Sequence, residues 1–129
     1  MGKNTVAVVD DDPVTLEIIE TMLNDTKLEV KIFVNAQSAL ESLKSCAPEL
    51  VILDYNMPGL TGQSLMIKVS EALVFGHATF VLLSSEEFDD TKKMMLATCG
   101  LSAVLKKPLS KTRLLELIES VFPRDVIYK

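Results

Sequence analysis

Histidine and cysteine are scarce in this chain, and basic residues are outnumbered. It has one histidine, His77, and two cysteines, Cys46 and Cys99, in 129 residues. The cysteines lie far apart and have no metal-ligand spacing. They read as two buried or half-buried thiols of a reducing cytosol. His77 falls in a loop region and reads as a solvated side chain. Thirteen Lys and Arg stand against 18 Asp and Glu, a net charge of −5. That balance argues against direct binding to a nucleic-acid backbone, which needs clustered cations. It suits an acidic cation site. No apolar run is long enough to span a bilayer, and the segment from Met1 to Val6 has too few apolar residues for a signal peptide. A cytoplasmic protein without membrane contact is expected. There is no internal repeat, low-complexity stretch or second composition regime.

Apolar residues make up 48 % and charged residues 24 % of the chain. That is enough to bury one core, so residues 1–129 are expected to form a single domain. The core should run over about residues 4–122, with residues 123–129 as a polar tail or linker stub. Thr5-Val6-Ala7-Val8-Val9, Leu50-Val51-Ile52-Leu53 and Phe80-Val81-Leu82-Leu83 are nearly continuous apolar runs, the signature of strands buried on both faces. Residues 28–34 alternate at Leu28, Val30 and Ile32, and Ala103-Val104-Leu105 is a shorter fifth run. Between them lie helical patterns. Asp12 and Pro13 start one that carries Leu16, Ile19 and Leu23. Asn35 starts one that carries Ala36, Ala39, Leu40, Leu43 and Ala47, stopped by Pro48. Leu65, Val69 and Leu73 mark a third, closed by Gly76. A fourth runs from about Phe88 to Cys99 and ends at Gly100. Leu114, Leu117, Ile118 and Val121 mark the fifth. Asn56-Met57-Pro58-Gly59 reads as a loop. Five alternations of strand and helix select an α/β fold with a parallel sheet and helices on both faces.

In such sheets, sites form beyond the carboxyl ends of the strands. Asp10 and Asp11 follow the first strand, Asp54 the third, Ser84 the fourth and Lys107 the fifth. Carboxylates a few ångströms apart repel by roughly 4 kcal/mol per pair at an effective dielectric of 20. A raised pKa or a bound cation relieves that strain, and hard oxygen ligands with room for water suit Mg²⁺. Asp54 at a strand end can act as a nucleophile, with Lys107 and Ser84 to hold phosphoryl oxygens. The set has the parts of a phosphoryl-transfer site. Taken singly, each residue has a plainer role, and for Asp12 helix capping is the preferred one.

Val8-Val9-Asp10-Asp11, Leu53-Asp54-Tyr55-Asn56-Met57-Pro58-Gly59, Leu83-Ser84-Ser85 and Lys107-Pro108 resemble the signatures of response-regulator receiver domains. The resemblance covers the chain from about Asn4 to Phe122. It implies a flavodoxin-like three-layer sandwich, with a five-stranded parallel sheet of order 2-1-3-4-5 and five helices. It implies that Asp54 takes a phosphoryl group from a sensor histidine kinase or histidine phosphotransfer protein. Asp11, Asp54 and the backbone carbonyl of Asn56 would ligate Mg²⁺, with Asp10 helping through water. Lys107 would pair with Asp54 and then bind the phosphoryl group. Ser84 would move to report its presence, and the Lys107–Pro108 peptide would be cis. The face built from the fourth helix, fifth strand and fifth helix would shift between two arrangements and signal to an output domain or effector protein. Such a domain is no enzyme beyond its own phosphorylation and dephosphorylation. A monomer or weak homodimer is expected.

Two positions depart from that pattern. Many members have an aromatic residue three positions before the lysine, where this chain has Val104. Valine cannot swing between a buried and an exposed pocket as a ring does. Ser85 follows the hydroxyl where a smaller residue is usual. The alternative is a receiver fold that serves as a constitutive interaction module and is never phosphorylated. A phosphohydrolase with an aspartyl-phosphate intermediate typically has a second aspartate where this chain has Asn56. A flavodoxin has a Ser/Thr/Gly-rich phosphate loop after the first strand, which is missing here.

Overall fold

The computed structural model describes residues 4–43, 45–46, 48–57, 60–61, 64, 67–68, 71 and 78–128. The apolar runs become strands, in chain order β1 (Thr5–Val9), β2 (Glu29–Phe33), β3 (Leu50–Asp54), β4 (Asn56–Met57), β5 (Leu60–Thr61), β6 (Thr79–Ser84) and β7 (Leu101–Lys106). Five of them form one parallel sheet in the order β2-β1-β3-β6-β7. Counted among themselves, that is the expected 2-1-3-4-5. Every residue of β1 and β3 is buried, as central strands covered on both faces must be.

The helices are α1 (Pro13–Leu23), α2 (Ala36–Leu43), α3 (Asp90–Thr98), α4 (Lys111–Val121) and α5 (Arg124–Ile127). Asp12 caps α1 by accepting the Val14 N–H at 3.0 Å, and Asn35 accepts the Ser38 N–H at 2.8 Å. Asp89 and Ser110 cap α3 and α4 in the same way. Each side-chain oxygen satisfies a backbone donor that the helix leaves free. Gly100, at φ +103°, takes the chain out of α3 into β7, a conformation open to a residue without Cβ.

Side chains alternate across the sheet with period two. Val6, Val8, Leu50, Ile52, Val81 and Leu83 pack on one face with Leu16 and Ile19 of α1 and Leu114 and Ile118 of α4. Ala7, Val9, Val51, Leu53 and Leu82 pack on the other with Ala39 and Leu43 of α2 and Leu96 of α3. This gives the expected three layers.

Four details differ from the sequence reading. Residues 56–61 are not only loop: Asn56 pairs with Thr61 and Met57 with Leu60 in a small antiparallel ribbon. Two-residue strands have no periodicity to read. Ile32 is 38 % exposed, because β2 is an edge strand. α2 stops at Leu43, short of Ala47, which lies outside the described residues. The tail expected beyond Pro123 is a helical turn, and the Lys27 N–H donates to the Ile127 carbonyl at 2.7 Å. Ile127 is fully buried with Leu23, Ile118 and Phe122, so burial of one branched side chain folds the segment back. Of the expected third helix, Ser64, Ile67, Lys68 and Glu71 are helical. Leu65, Val69, Leu73 and Gly76 lie outside the described residues, as do Pro58, Gly59 and His77.

Candidate functional site

The chain leaves β1 toward β2 on one side and reaches β3 on the other, so the carboxyl ends of β1 and β3 flank a topological switch point. Asp10 and Asp54 stand there. The Asp10 N–H donates to the Phe33 carbonyl at 3.1 Å, and its side chain is fully buried. One carboxylate oxygen, Oδ1, accepts the Asp12 N–H at 2.9 Å. The other, Oδ2, has no well-directed hydrogen bond, although the Lys107 ammonium lies 3.0 Å away. The ion pair is close but off the hydrogen-bond axis. Asp54, 5 % exposed, accepts the Asn56 N–H at 3.3 Å and faces Lys107 Nζ at 3.4 Å.

Asp11 is exposed at the mouth of the site. One carboxylate oxygen each from Asp10, Asp11 and Asp54 lie within 4.8 Å of one another. Burial raises the Asp54 pKa to about 6, helped by the negative charge of Asp10 and opposed by Lys107 and the Asn56 N–H. Burial works against the Lys107 ammonium, yet the close negative charge of Asp10, then that of Asp54, holds its pKa above the ordinary lysine value. Two of the three carboxylates, Asp10 and Asp54, thus share one ammonium. A buried carboxylate oxygen without a directed donor, beside two further carboxylates, is a donor set for a hard divalent ion such as Mg²⁺.

Lys107 is placed by the end of β7, where its N–H donates to the Ser84 carbonyl at 2.9 Å. The Lys107–Pro108 peptide is cis. Ser84 is buried, and its hydroxyl is turned to Glu86: it accepts the Glu86 N–H at 2.9 Å and approaches the Glu86 carbonyl at 3.3 Å. The Asn56 side-chain amide donates to Glu86 Oε2 at 2.8 Å. The fold therefore brings Asp10, Asp11, Asp54, Asn56, Ser84 and Lys107 to one edge, and Lys107 is nearer to Asp10 than to Asp54. Sequence reading missed Glu86, which holds both Ser84 and Asn56. Its signal is local: a serine two residues before a backbone N–H forms this turn readily.

An aspartate cluster with a lysine stands at the carboxyl edge of a five-stranded parallel sheet of an α/β domain. The family model of the response regulator receiver domain matches residues 6–119. The chain belongs to that family. It is 33 % identical over 119 residues to the putative two-component response regulator ARR21 of Arabidopsis thaliana, covering 91 % of this chain and 19 % of that protein. It is 28 % identical over 116 residues to the sensor histidine kinase GacS of Pseudomonas protegens, covering 88 % of this chain and 12 % of the kinase. The chain thus spans less than a fifth of either relative. The chemotaxis protein CheY4 of Vibrio cholerae has the same fold, with a TM-score of 0.81 at 24 % identity over 94 % of this chain and 100 % of that one.

Proposed function

We propose that the domain accepts a phosphoryl group on Asp54 from a phosphohistidine of a sensor kinase or phosphotransfer protein, and passes the change to an output domain or effector. The observation that carries this reading is the Asp54 carboxylate, buried at the end of a central strand with Asp10, Asp11 and Lys107 around it. Similarity to a receiver family and to a stretch of a sensor histidine kinase supports it.

An Asp54 carboxylate oxygen attacks phosphorus. The phosphorus–nitrogen bond of the donor breaks, and the imidazole leaves with the bonding pair and takes up a proton. Asp11, Asp54 and the Asn56 carbonyl would hold Mg²⁺, with Asp10 assisting. When bound, Mg²⁺ neutralises charge on the transferring phosphoryl oxygens. Lys107 leaves its shared position for one of those oxygens. Ser84 gives up Glu86 to donate to another. The added group carries roughly −1.5 to −2 charges, and this biases the face of α3, β7 and α4. A groove of about 670 Å³ opens there, with half-buried Val104 among its lining residues. The domain acts on no other substrate. It works in the cytoplasm beside its kinase, as a monomer or weak homodimer. Among the described residues no helix is long and apolar enough to cross a membrane.

Intact-protein mass after incubation with acetyl phosphate tests the proposal. One Mg²⁺-dependent phosphoryl adduct is expected. Its absence favours an interaction module that is never phosphorylated. Mg²⁺ affinity itself should depend on pH. With the Asp54 pKa at about 6, protons compete with the cation below that value, and affinity falls by about tenfold per pH unit. It levels off above about pH 7. A titration by amide NMR at three pH values checks this, and a flat profile contradicts it.

A further inference from the structure

A second cluster stands beside the acidic site, and the transfer chemistry leaves it unused. Tyr55 directly follows Asp54, and its N–H donates to the Leu83 carbonyl at 2.8 Å. Its half-buried ring meets Phe88 nearly edge-on, with centroids 4.7 Å apart and planes at 62°. Phe88 is buried and lies on the segment between Ser84 and the Asp89 cap of α3. Lys92, in the first turn of α3, holds its ammonium 4.3 Å from the Tyr55 centroid and 4.7 Å from that of Phe88. Its backbone N–H is tied to Asp89 Oδ1 at 2.8 Å, which fixes the root of the side chain to the start of the helix.

Three side chains therefore link three parts: the residue after the acceptor, the segment that carries Ser84, and α3. The Ser84 hydroxyl is tied at both ends to the Glu86 backbone, two residues before Phe88. The ring contact and the cation over it depend on geometry at the ångström level. On the other side of the site, Val104 has no ring to swing.

We propose that Tyr55, Phe88 and Lys92 couple the charge state of Asp54 to α3, with Lys92 as the positioning residue. This rests on the reading of Asp54 as phosphoacceptor. Adding phosphoryl charge at Asp54 draws Ser84 inward, Phe88 shifts against Tyr55, and the Lys92 ammonium carries the shift to the first turn of α3. The helix is thereby set from the β3 side rather than through a rotamer on β7.

The test uses Lys92→Met, which keeps the aliphatic stem and removes the cation, and Lys92→Arg, whose guanidinium can stack on the same rings. Each protein is phosphorylated with acetyl phosphate and Mg²⁺. The adduct is read by intact mass and the amide shifts of Asp90–Thr98 by NMR. Lys92→Met should form the adduct as the wild type does, while the phosphorylation-induced shifts in α3 fall to less than half. Lys92→Arg should restore them. In a Tyr128→Phe background Tyr55 is the one remaining tyrosine of a chain without tryptophan. Its emission should change on phosphorylation and stay constant in Lys92→Met. An adduct on Lys92→Met with α3 shifts of wild-type size overturns the coupling. No adduct on any of the proteins, the wild type included, overturns the acceptor reading and the coupling with it, so the two failures are distinct.

Discussion

Asp54→Asn should abolish the phosphoryl adduct and at the same time stabilise the fold at neutral pH. The first effect follows from chemistry: an amide oxygen is a poor nucleophile and carries no charge to attract the cation. The second follows from the site's own strain. Burial and the nearby Asp10 carboxylate raise the Asp54 pKa from 3.8 to about 6. A carboxyl group with a raised folded-state pKa binds protons more tightly in the folded chain than in the unfolded one, so its ionisation works against folding. The penalty is fully present above about pH 7, shrinks as pH falls through 6, and is gone below the unfolded value near 4. At about 1.4 kcal/mol per pKa unit it is on the order of 3 kcal/mol. Asparagine keeps an oxygen for the Asn56 N–H and drops the charge.

Urea unfolding at two pH values reads this directly. At pH 7 without Mg²⁺ the variant should exceed the wild type by about 3 kcal/mol, and at about pH 4 the two should converge. Saturating Mg²⁺ should narrow the gap at pH 7, because a ligand that binds the folded wild type stabilises it. Equal stabilities at both pH values would mean that the carboxylates do not strain the fold. A surviving adduct on Asp54→Asn would remove Asp54 as acceptor.

The sequence shows why these particular residues are legible. Asp10, Asp54, Ser84 and Lys107 each close an apolar run or stand just beyond one. Parallel strands all end at the same edge, so order along the chain is enough to collect them. Contacts between loop residues have no such rule. Nothing in the spacing of Lys107 tells that its ammonium sits 3.0 Å from Asp10 and 3.4 Å from Asp54, although the family resemblance implies a pair with Asp54. The Asn56–Glu86 bond depends on side-chain reach between β4 and the segment just beyond β6. The Tyr55–Phe88 contact joins residues 33 positions apart in the numbering, neither of which stands at a periodic position. Alternation also overstates β2, whose edge position leaves Ile32 exposed.

The polar-looking end of the chain is where composition misleads most, and Ile127→Ala measures by how much. Residues 124–128 read Arg-Asp-Val-Ile-Tyr, too short for a periodic signal and flanked by charge. In the fold, Ile127 is fully buried against Leu23, Ile118 and Phe122. Arg124 pairs with Glu119 at 2.8 Å, and the Tyr128 hydroxyl donates to the same carboxylate at 2.8 Å. Those polar contacts are exposed and contribute little, so the apolar side chain holds the turn in place. Cutting a buried isoleucine to alanine removes its transfer energy and leaves a cavity, at a cost of about 2–5 kcal/mol. Against a total stability of roughly 5–15 kcal/mol that is a large fraction. Val14→Ala on α1, at 60 % exposure, is the control and should stay within about 0.5 kcal/mol of the wild type. Urea midpoints of the two variants, with slopes unchanged, decide the point. A shift for Ile127→Ala several times that of Val14→Ala places the domain's end at or beyond Tyr128, and equal small shifts return the segment to the status of a loose tail.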